Sequence, residues 1–301
     1  MTIPEIIAAG VDETVPPVRD LSMRRVRKLV QTRAARMLGE ISRVRRTAGV
    51  DAIHDLRVAT RRLQEALDFF EPCLPVRYRR RLARRARRIR RELGEIRTAD
   101  VTLDLLAQLT RRLPAGESRD LERLRIRLRA EARTPRAAAS GRKGLAVSGA
   151  RKRSRLLLAH LDGAGSFAFL DRGRKILDAR VGETSSLIPP ASTGDPEALH
   201  RLRIAVKRYR YALEILEQAG WEGSQRPIAA ARAIQEELGR LHDLDVLTDL
   251  IRRTRSRESP GLLRRLGRER ARRLLAVRKA LKEFPPGKVL PADNGRRTRP
   301  T

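Results

Sequence analysis

A single cysteine, Cys73, stands in 301 residues. That excludes an intramolecular disulfide and a Cys-rich zinc site, and it suits a reducing compartment. Aromatic residues make up only 3% of the chain. Its core must therefore be built from Leu, Ile, Val and Ala, a composition that favours helix over sheet. No apolar run approaches the roughly 18 residues that span a bilayer, so no membrane segment is expected. Residues 1–17 carry Glu5, Asp12 and Glu13 and lack a basic start followed by an apolar stretch. They do not read as a secretory signal. Acidic residues are outnumbered, with 68 Lys and Arg against 36 Asp and Glu and a formal net charge of +32. So large a positive field attracts phosphate-rich ligands. A soluble, cytoplasmic chain with a polyanionic partner is the expectation.

With 41% hydrophobic and 35% charged residues, the chain is too apolar for a disordered basic tail. Helical periodicity runs through most of it. Candidate helices fall at 18–46, 51–71, 76–113 and 117–133, with 151–160 closing a first series. A second series falls at 167–180, 196–219, 226–257 and 260–284. No segment alternates with period two, so no sheet is expected. Composition assigns 1–17 to a flexible N-terminus, 134–150 to a flexible loop and 185–195 to a second loop. That second loop ends in an N-cap at Asp195, with Pro196 at the first helical position. The Pro/Gly-rich, basic segment 285–301 reads as a disordered tail.

The two series repeat one another. The segment AIHDLRVATRRLQEALDFFE from Ala52 aligns with ALHRLRIAVKRYRYALEILE from Ala198, at an offset of 146. Further on, IRRELGEIRTADVTLDLL from Ile89 aligns with IQEELGRLHDLDVLTDLI from Ile234, at an offset of 145. Similar segments in the same order and nearly the same spacing indicate a duplicated helical unit. The repeats divide the ordered chain, 18–284, into units of about 18–160 and 166–284.

On a helical wheel Leu56, Ala59, Leu63, Ala66, Leu67 and Phe70 share one side. His54, Arg57, Arg61 and Gln64 share another. The second copy places Leu202, Ala205, Tyr209, Ala212, Leu213 and Leu216 on its apolar side and His200, Arg203, Lys207 and Arg210 on its polar side. Each polar stripe reaches about 10 Å, long enough to touch several successive phosphates. A solvated face of any Arg-rich protein also looks like this, but it need not keep a histidine at the same point twice. Arg62 and Arg208 fall off the main stripes and are weaker candidates. In the second repeated segment Gly94 and Gly239 sit inside helices, where Gly costs ~1 kcal/mol relative to Ala. Close helix packing is the expected reason. Asp100 and Asp245 lie three residues beyond Arg97 and His242, a spacing that allows a same-face pair; the expected role is an ion pair or cap that orients a neighbouring base.

His242-Asp243 also suggests the His-Asp step of a metal-dependent phosphohydrolase, with Asp245 or Asp249 nearby. Against that reading, the first copy carries Arg97-Thr98 there and no further His lies close in sequence. Neither a phosphate-binding Gly-rich loop ending in Lys-Ser/Thr nor a Gly-x-Ser-x-Gly elbow occurs. His160 belongs to no motif. No cofactor, metal or catalytic residue is assigned.

His54-Asp-Leu-Arg57-Val-Ala-Thr-Arg61-Arg62 and His200-Arg-Leu-Arg203-Ile-Ala-Val-Lys207-Arg208-Tyr-Arg210 resemble the paired signatures of the CHAD family, the conserved-histidine α-helical domain. Leu93–Val101 and Leu238–Val246 fit its second signature. The resemblance covers roughly 18–284. It implies an all-α fold of two antiparallel four-helix bundles related by pseudo-twofold symmetry, with a basic channel between them. It further implies that this channel binds inorganic polyphosphate without catalysis, with polyphosphate granules as one site of action. Ligand-facing residues would be His54, Arg57, Arg61, His200, Arg203, Lys207 and Arg210. Thr98 replaces the usual Asp, and His242 the usual Arg, which weakens the expected roles of Arg97 and His242. Some relatives carry a triphosphate-tunnel catalytic domain, but no Glu-x-Glu-x-Lys signature occurs here. A dense anion favours imidazolium, so binding is expected to tighten as pH falls through about 6.5. The rival reading is a non-specific RNA- or DNA-binding protein. Scarce aromatics count against single-strand recognition, and no DNA-reading motif appears.

Overall fold

Ser22 starts the first helix by accepting a hydrogen bond from Arg25 N at 3.4 Å. Helix α1, Met23–Thr47, ends at Ala48, whose φ of 43° is left-handed. Helix α2, Val50–Phe69, follows at once, and a 3-10 turn at Glu71–Cys73 leads into α3, Val76–Glu92. Next come α4, Gly94–Thr110, α5, Ala115–Ser140, and α6, Ala150–Ala159. The second series is α7, Phe169–Ser192, α8, Pro196–Gln218, α9, Gln225–Arg253, and α10, Pro260–Lys282. The computed structural model describes residues 20–111, 115–140, 149–161, 166–220, 224–253, 260–282 and 284. The expected flexible termini, 1–17 and 285–301, lie outside them. No helix of the described residues is long and apolar enough to cross a membrane.

Four expectations are corrected. The helix expected at 76–113 is interrupted at Leu93, just after the Arg90 carbonyl accepts from Arg57 Nη1 at 2.6 Å. The loop expected from 134 is helical as far as Ser140, and 141–148 falls outside the described residues. Pro135 is carried inside α5 because Ala132 and Ala139 are buried and Arg136 ties the final turns to α4. The loop expected at 185–195 is helical to Ser192, through Pro189 and Pro190. Ala191 is fully buried there, and the Ser192 and Thr193 hydroxyls donate to the carbonyls of Ile188 and Pro190 at 2.8 Å. Apolar burial thus outweighs the proline penalty. Finally, a two-stranded antiparallel sheet exists where none was expected. β1, Asp20–Ser22, pairs with β2, Ser166–Ala168, and brings buried Leu21 opposite Phe167. Three residues per strand are too few to show alternation. The N-cap at Asp195 is present, its Oδ2 accepting from Ala198 N at 2.8 Å.

The two series pack in the same order. α1 lies on α2 and α2 on α3, as α7 lies on α8 and α8 on α9. Each apolar stripe read from the wheel is buried, from Leu56 to Phe70 and from Leu202 to Leu216. One main core joins these stripes across the repeat boundary, and a smaller cluster around Leu106, Leu124, Leu247 and Leu266 joins α4 and α5 to α9 and α10. The apolar interior is therefore shared between the repeats rather than split into two.

Asp100 and Asp245 each make an ion pair with a base, as expected, but with an arginine of another helix and not with Arg97 or His242. Asp100 pairs with Arg136, which also donates to the Ala48 carbonyl at 2.6 Å. Asp245 pairs with Arg270, which donates to the Gly194 carbonyl at 2.7 Å. Ala48 and Gly194 are the left-handed residues between the first and second helices of each series. Both aspartates thus fasten, through an arginine, the turn that starts the His-bearing helix.

Candidate functional site

α2 lies against α8, and α4 against α9, so the polar stripes of both repeats meet in one place. His54 is exposed at its edge, Arg57, Arg61, His200 and Arg203 are half-buried, and Lys207 and Arg210 are buried. Lys207 is only 9% exposed, and no hydrogen bond or ion pair among the described residues holds it. Burial, followed by repulsion from Arg203, Arg61, Arg210 and Arg57, lowers its pKa to about 6. Arg57 is likewise lowered to about 10, by burial and then by Arg61, Arg90 and Arg97. Burial also lowers Arg203, whose Nε is shut from solvent without a partner. The six stripe residues from His54 to Lys207 thus form one crowded cationic cluster assembled from both repeats.

The α9 segment enters the same cluster. The His242 ring lies 5.0 Å from that of His200, and His200 Nδ1 is buried without a partner. Burial, then Arg203, His200 and Lys207, pushes His242 down to about 4. His54 is lowered by burial and by Arg97. Both histidines are therefore neutral near pH 7 in the empty cluster. Asp243 is the nearby carboxylate. Burial raises its pKa, while Arg203, Arg97 and Lys207 oppose that rise. Among the described residues no three His, Cys, Asp or Glu side chains converge as a metal ion would require. Two cluster members, Arg90 and Asp243, were not singled out as anion-site residues in the sequence. Arg90 lies in a run where arginine recurs almost continuously, and only its contact with Arg57 distinguishes it.

Three candidates have other occupations. Arg62 Nη2 donates to Glu214 Oε1 at 3.2 Å, and Arg62 lines a separate cavity of about 530 Å³ with Arg33 and Gln218. Arg208 pairs with Glu183 at 2.9 Å. Arg210 borders Lys207, but its Nη1 is held by Glu214 at 3.0 Å and its guanidinium sits 4.8 Å from the Tyr211 ring centre. These charges are already matched, so they contribute less to attracting an anion.

The repeated glycines face the repeated arginines. A Cβ on Gly94 would stand 3.7 Å from Arg57 Nη1, and one on Gly239 would stand 3.9 Å from Arg203 Nε. Alanine fits at either position; a longer side chain displaces the guanidinium. Gly239→Leu is accordingly expected to leave thermal stability unchanged or slightly raised, because Leu is the better helix former. It should weaken anion binding about tenfold. Titration and thermal melting of the same preparation check both halves of that expectation.

The CHAD domain model matches residues 28–252. The chain belongs to the CHAD domain family. No curated protein matches it. Among solved structures, this CHAD chain is similar to the CHAD domain from the plant Ricinus communis. That match has 22% identity and a TM-score of 0.63, covering 91% of this chain and 96% of the other. It is also similar to PptA from Streptomyces chartreusis, with 16% identity and a TM-score of 0.63, covering 87% and 97% respectively. Those two likenesses concern the all-helical CHAD fold.

Proposed function

We propose that this CHAD chain binds inorganic polyphosphate, without catalysing its breakdown, through the cluster of His54, Arg57, Arg61, His200, Arg203 and Lys207. The observation that carries the reading is Lys207, buried among four arginines with no carboxylate bonded to it. Burial and the crowded arginines hold Lys207 neutral near pH 7 when the cluster is empty, and a dense anion that fills it restores the charge. Arg forks supply charge-assisted bonds to phosphate oxygens, and the histidines add short donors along the same faces. A pseudo-twofold relation between the halves belongs to the same proposal. It is supported by the matched pairs Arg57 with Gly94 and Arg203 with Gly239, and by the matched ties of Asp100 and Asp245.

The test is competition at about 150 mM salt between labelled long-chain polyphosphate and RNA, duplex DNA or ATP. Wild type is run beside a variant with Arg57, Arg61, Arg203 and Lys207 changed to Ala. Polyphosphate should win in the wild type and lose at least a thousandfold in affinity in the variant. That magnitude assumes about 1–2 kcal/mol for each charge-assisted contact. Affinity should also fall steeply with salt, as for any ligand whose successive phosphates are neutralised together. Equal competition by RNA, charge for charge, or normal binding by the variant would return the stripes to ordinary solvated faces.

A further inference from the structure

Helix α3 carries ten arginines in 17 residues, far more than the cluster uses. Arg77, Arg80, Arg81, Arg84, Arg87, Arg88 and Arg91 are all exposed and recur along one outer side. α6 packs beside α3. Between them runs an open groove of about 640 Å³, lined by Arg81, Arg84, Arg88 and Lys152, with Leu156 in its wall. Arg85, also in the groove, is lowered by burial and then by Arg153 and Arg88, while Glu92, which accepts from Arg88 Nε at 2.9 Å, opposes that fall; Arg81 and Arg84 are therefore the row's least matched charges. Tyr78 lines the same groove. Its ring centre lies 4.2 Å from that of His160, at an interplanar angle of 34°, and its hydroxyl lies 3.1 Å from His160 Nε2.

This groove differs from the cationic cluster in one chemical respect. The cluster offers charge and imidazole in a buried setting; the groove offers charge beside a half-exposed tyrosine backed by a second ring. Phosphate has no use for an aromatic surface. A nucleobase does, because every base presents a π-face that stacks on tyrosine whatever its sequence. We infer that the α3–α6 groove binds single-stranded nucleic acid, the arginine row tracking the phosphates and Tyr78, steadied by His160, stacking a base. The row from Arg81 to Arg88 spans about 10 Å at 1.5 Å per residue, which matches a few successive phosphates. Leu156 supplies apolar wall for the edge of a base. No Asn, Gln, Asp or Glu side chain is among the residues lining this groove, and its cations are taken up by phosphates, so the recognition is sequence-tolerant. Tethering a polyphosphate-binding chain to RNA or exposed DNA would be its effect.

The experiment uses the full chain and a labelled 20-nucleotide oligo(U) at about 150 mM salt, with duplex DNA and long-chain polyphosphate as separate ligands. Arg81→Ala, Arg84→Ala and Arg88→Ala together should weaken oligo(U) at least tenfold and change polyphosphate affinity less than threefold. Arg57→Ala with Arg203→Ala should do the reverse. Tyr78→Ala should weaken oligo(U) about fivefold to a hundredfold, as loss of one stacked base does, and leave duplex DNA unchanged. Tyr78→Phe keeps the ring while removing the hydroxyl contact to His160, and should retain oligo(U) binding. The slope of log affinity against log salt should be near −0.7 per phosphate neutralised. Oligo(U) binding that survives the groove variant, or that disappears with the cluster variant, would overturn the inference. So would a Tyr78→Ala effect of equal size on duplex DNA, or one fully reproduced by Tyr78→Phe. Failure of polyphosphate binding alone would leave the groove intact and strike only the function proposed for the cluster.

Discussion

Lys207→Arg makes polyphosphate affinity nearly independent of pH between about 6.5 and 9, whereas the wild type tightens by about thirtyfold to a hundredfold as pH falls across that span. In the empty protein Lys207 has a pKa of about 6, because it is buried and faces Arg203 and Arg210 on its own helix and Arg57 and Arg61 on α2. His242 and Asp243 on α9 complete its surroundings. A bound polyanion supplies the missing counter-charge and returns the lysine towards its ordinary value near 10.4. Binding therefore takes up a proton wherever the pH lies between those two values. Affinity rises as pH falls through that window, by at most tenfold per unit, and levels off below about 6. Arginine stays charged throughout, so the substitution removes the proton uptake and keeps the cation. Calorimetry in two buffers of different ionisation heat measures the uptake directly. A wild type whose affinity is flat across the window would mean that Lys207 does not meet the ligand. His54 adds a lower window of its own, because burial and the neighbouring arginines hold it below 6.5.

The same linkage bears on stability without ligand. A base whose folded pKa is depressed loses stability as pH falls from its unfolded value towards its folded one, since only the unfolded chain takes the proton. For Lys207 that interval runs from about 10.4 down to about 6, and the loss is complete below it. Lys207→Met should consequently stabilise the empty protein at pH 7, by roughly 2 kcal/mol, while weakening the binding of polyphosphate.

Glu214→Ala is expected to destabilise the fold by about 3–5 kcal/mol, the range for removing one partner of a buried ionic set. Glu214 is 5% exposed and accepts from Arg210 at 3.0 Å and from Arg62 at 3.2 Å. Arg33, also buried, lies within its electrostatic reach and donates to the Arg62 carbonyl at 3.0 Å and to Gln218 at 2.8 Å. Truncating the carboxylate leaves buried guanidinium groups without their counter-charge, at the seam where one repeat meets the other. Arg62 is partly exposed, so solvent screens its share and Arg62→Ala should cost less. Thermal melting should place Glu214→Ala about 6–15 °C below wild type. Exposed Glu217 on the same helix is the control, and Glu217→Ala should fall within about 0.5 kcal/mol of wild type. A Glu214→Ala protein that melts with wild type would show that the seam is held by apolar packing alone.

Much of this was legible beforehand. The apolar stripes of α2 and α8 could be placed because burial imposes a period that survives any amount of surface arginine. His54, Arg57, Arg61, His200, Arg203 and Lys207 could be named because duplication keeps residues in register. Ion-pair partners could not, since Asp100 chooses Arg136 and Asp245 chooses Arg270, residues that the periodicity leaves indistinguishable from other arginines on their helices. Arg210 likewise shares the phase of Lys207, and only the position of Glu214 separates a matched charge from an unmatched one. The prolines misled in a simple way. Pro135 and Pro189-Pro190 argue locally for loops, whereas buried Ala139 and Ala191 decide the outcome from neighbouring helices.

The contact between Arg62 and Glu214 joins residues 152 positions apart. At roughly 5–20 residues per second of synthesis, the second partner leaves the ribosome about 8–30 s after the first. Over that interval Phe69 of α2, which borders one cleft with Ala212 and Ile215 of α8, has no α8 beside it. The newborn first repeat must wait with an uncovered apolar flank, and a chain cut short before Gln218 never closes it. For about half of its translation the chain therefore carries the first member of this pair without the second.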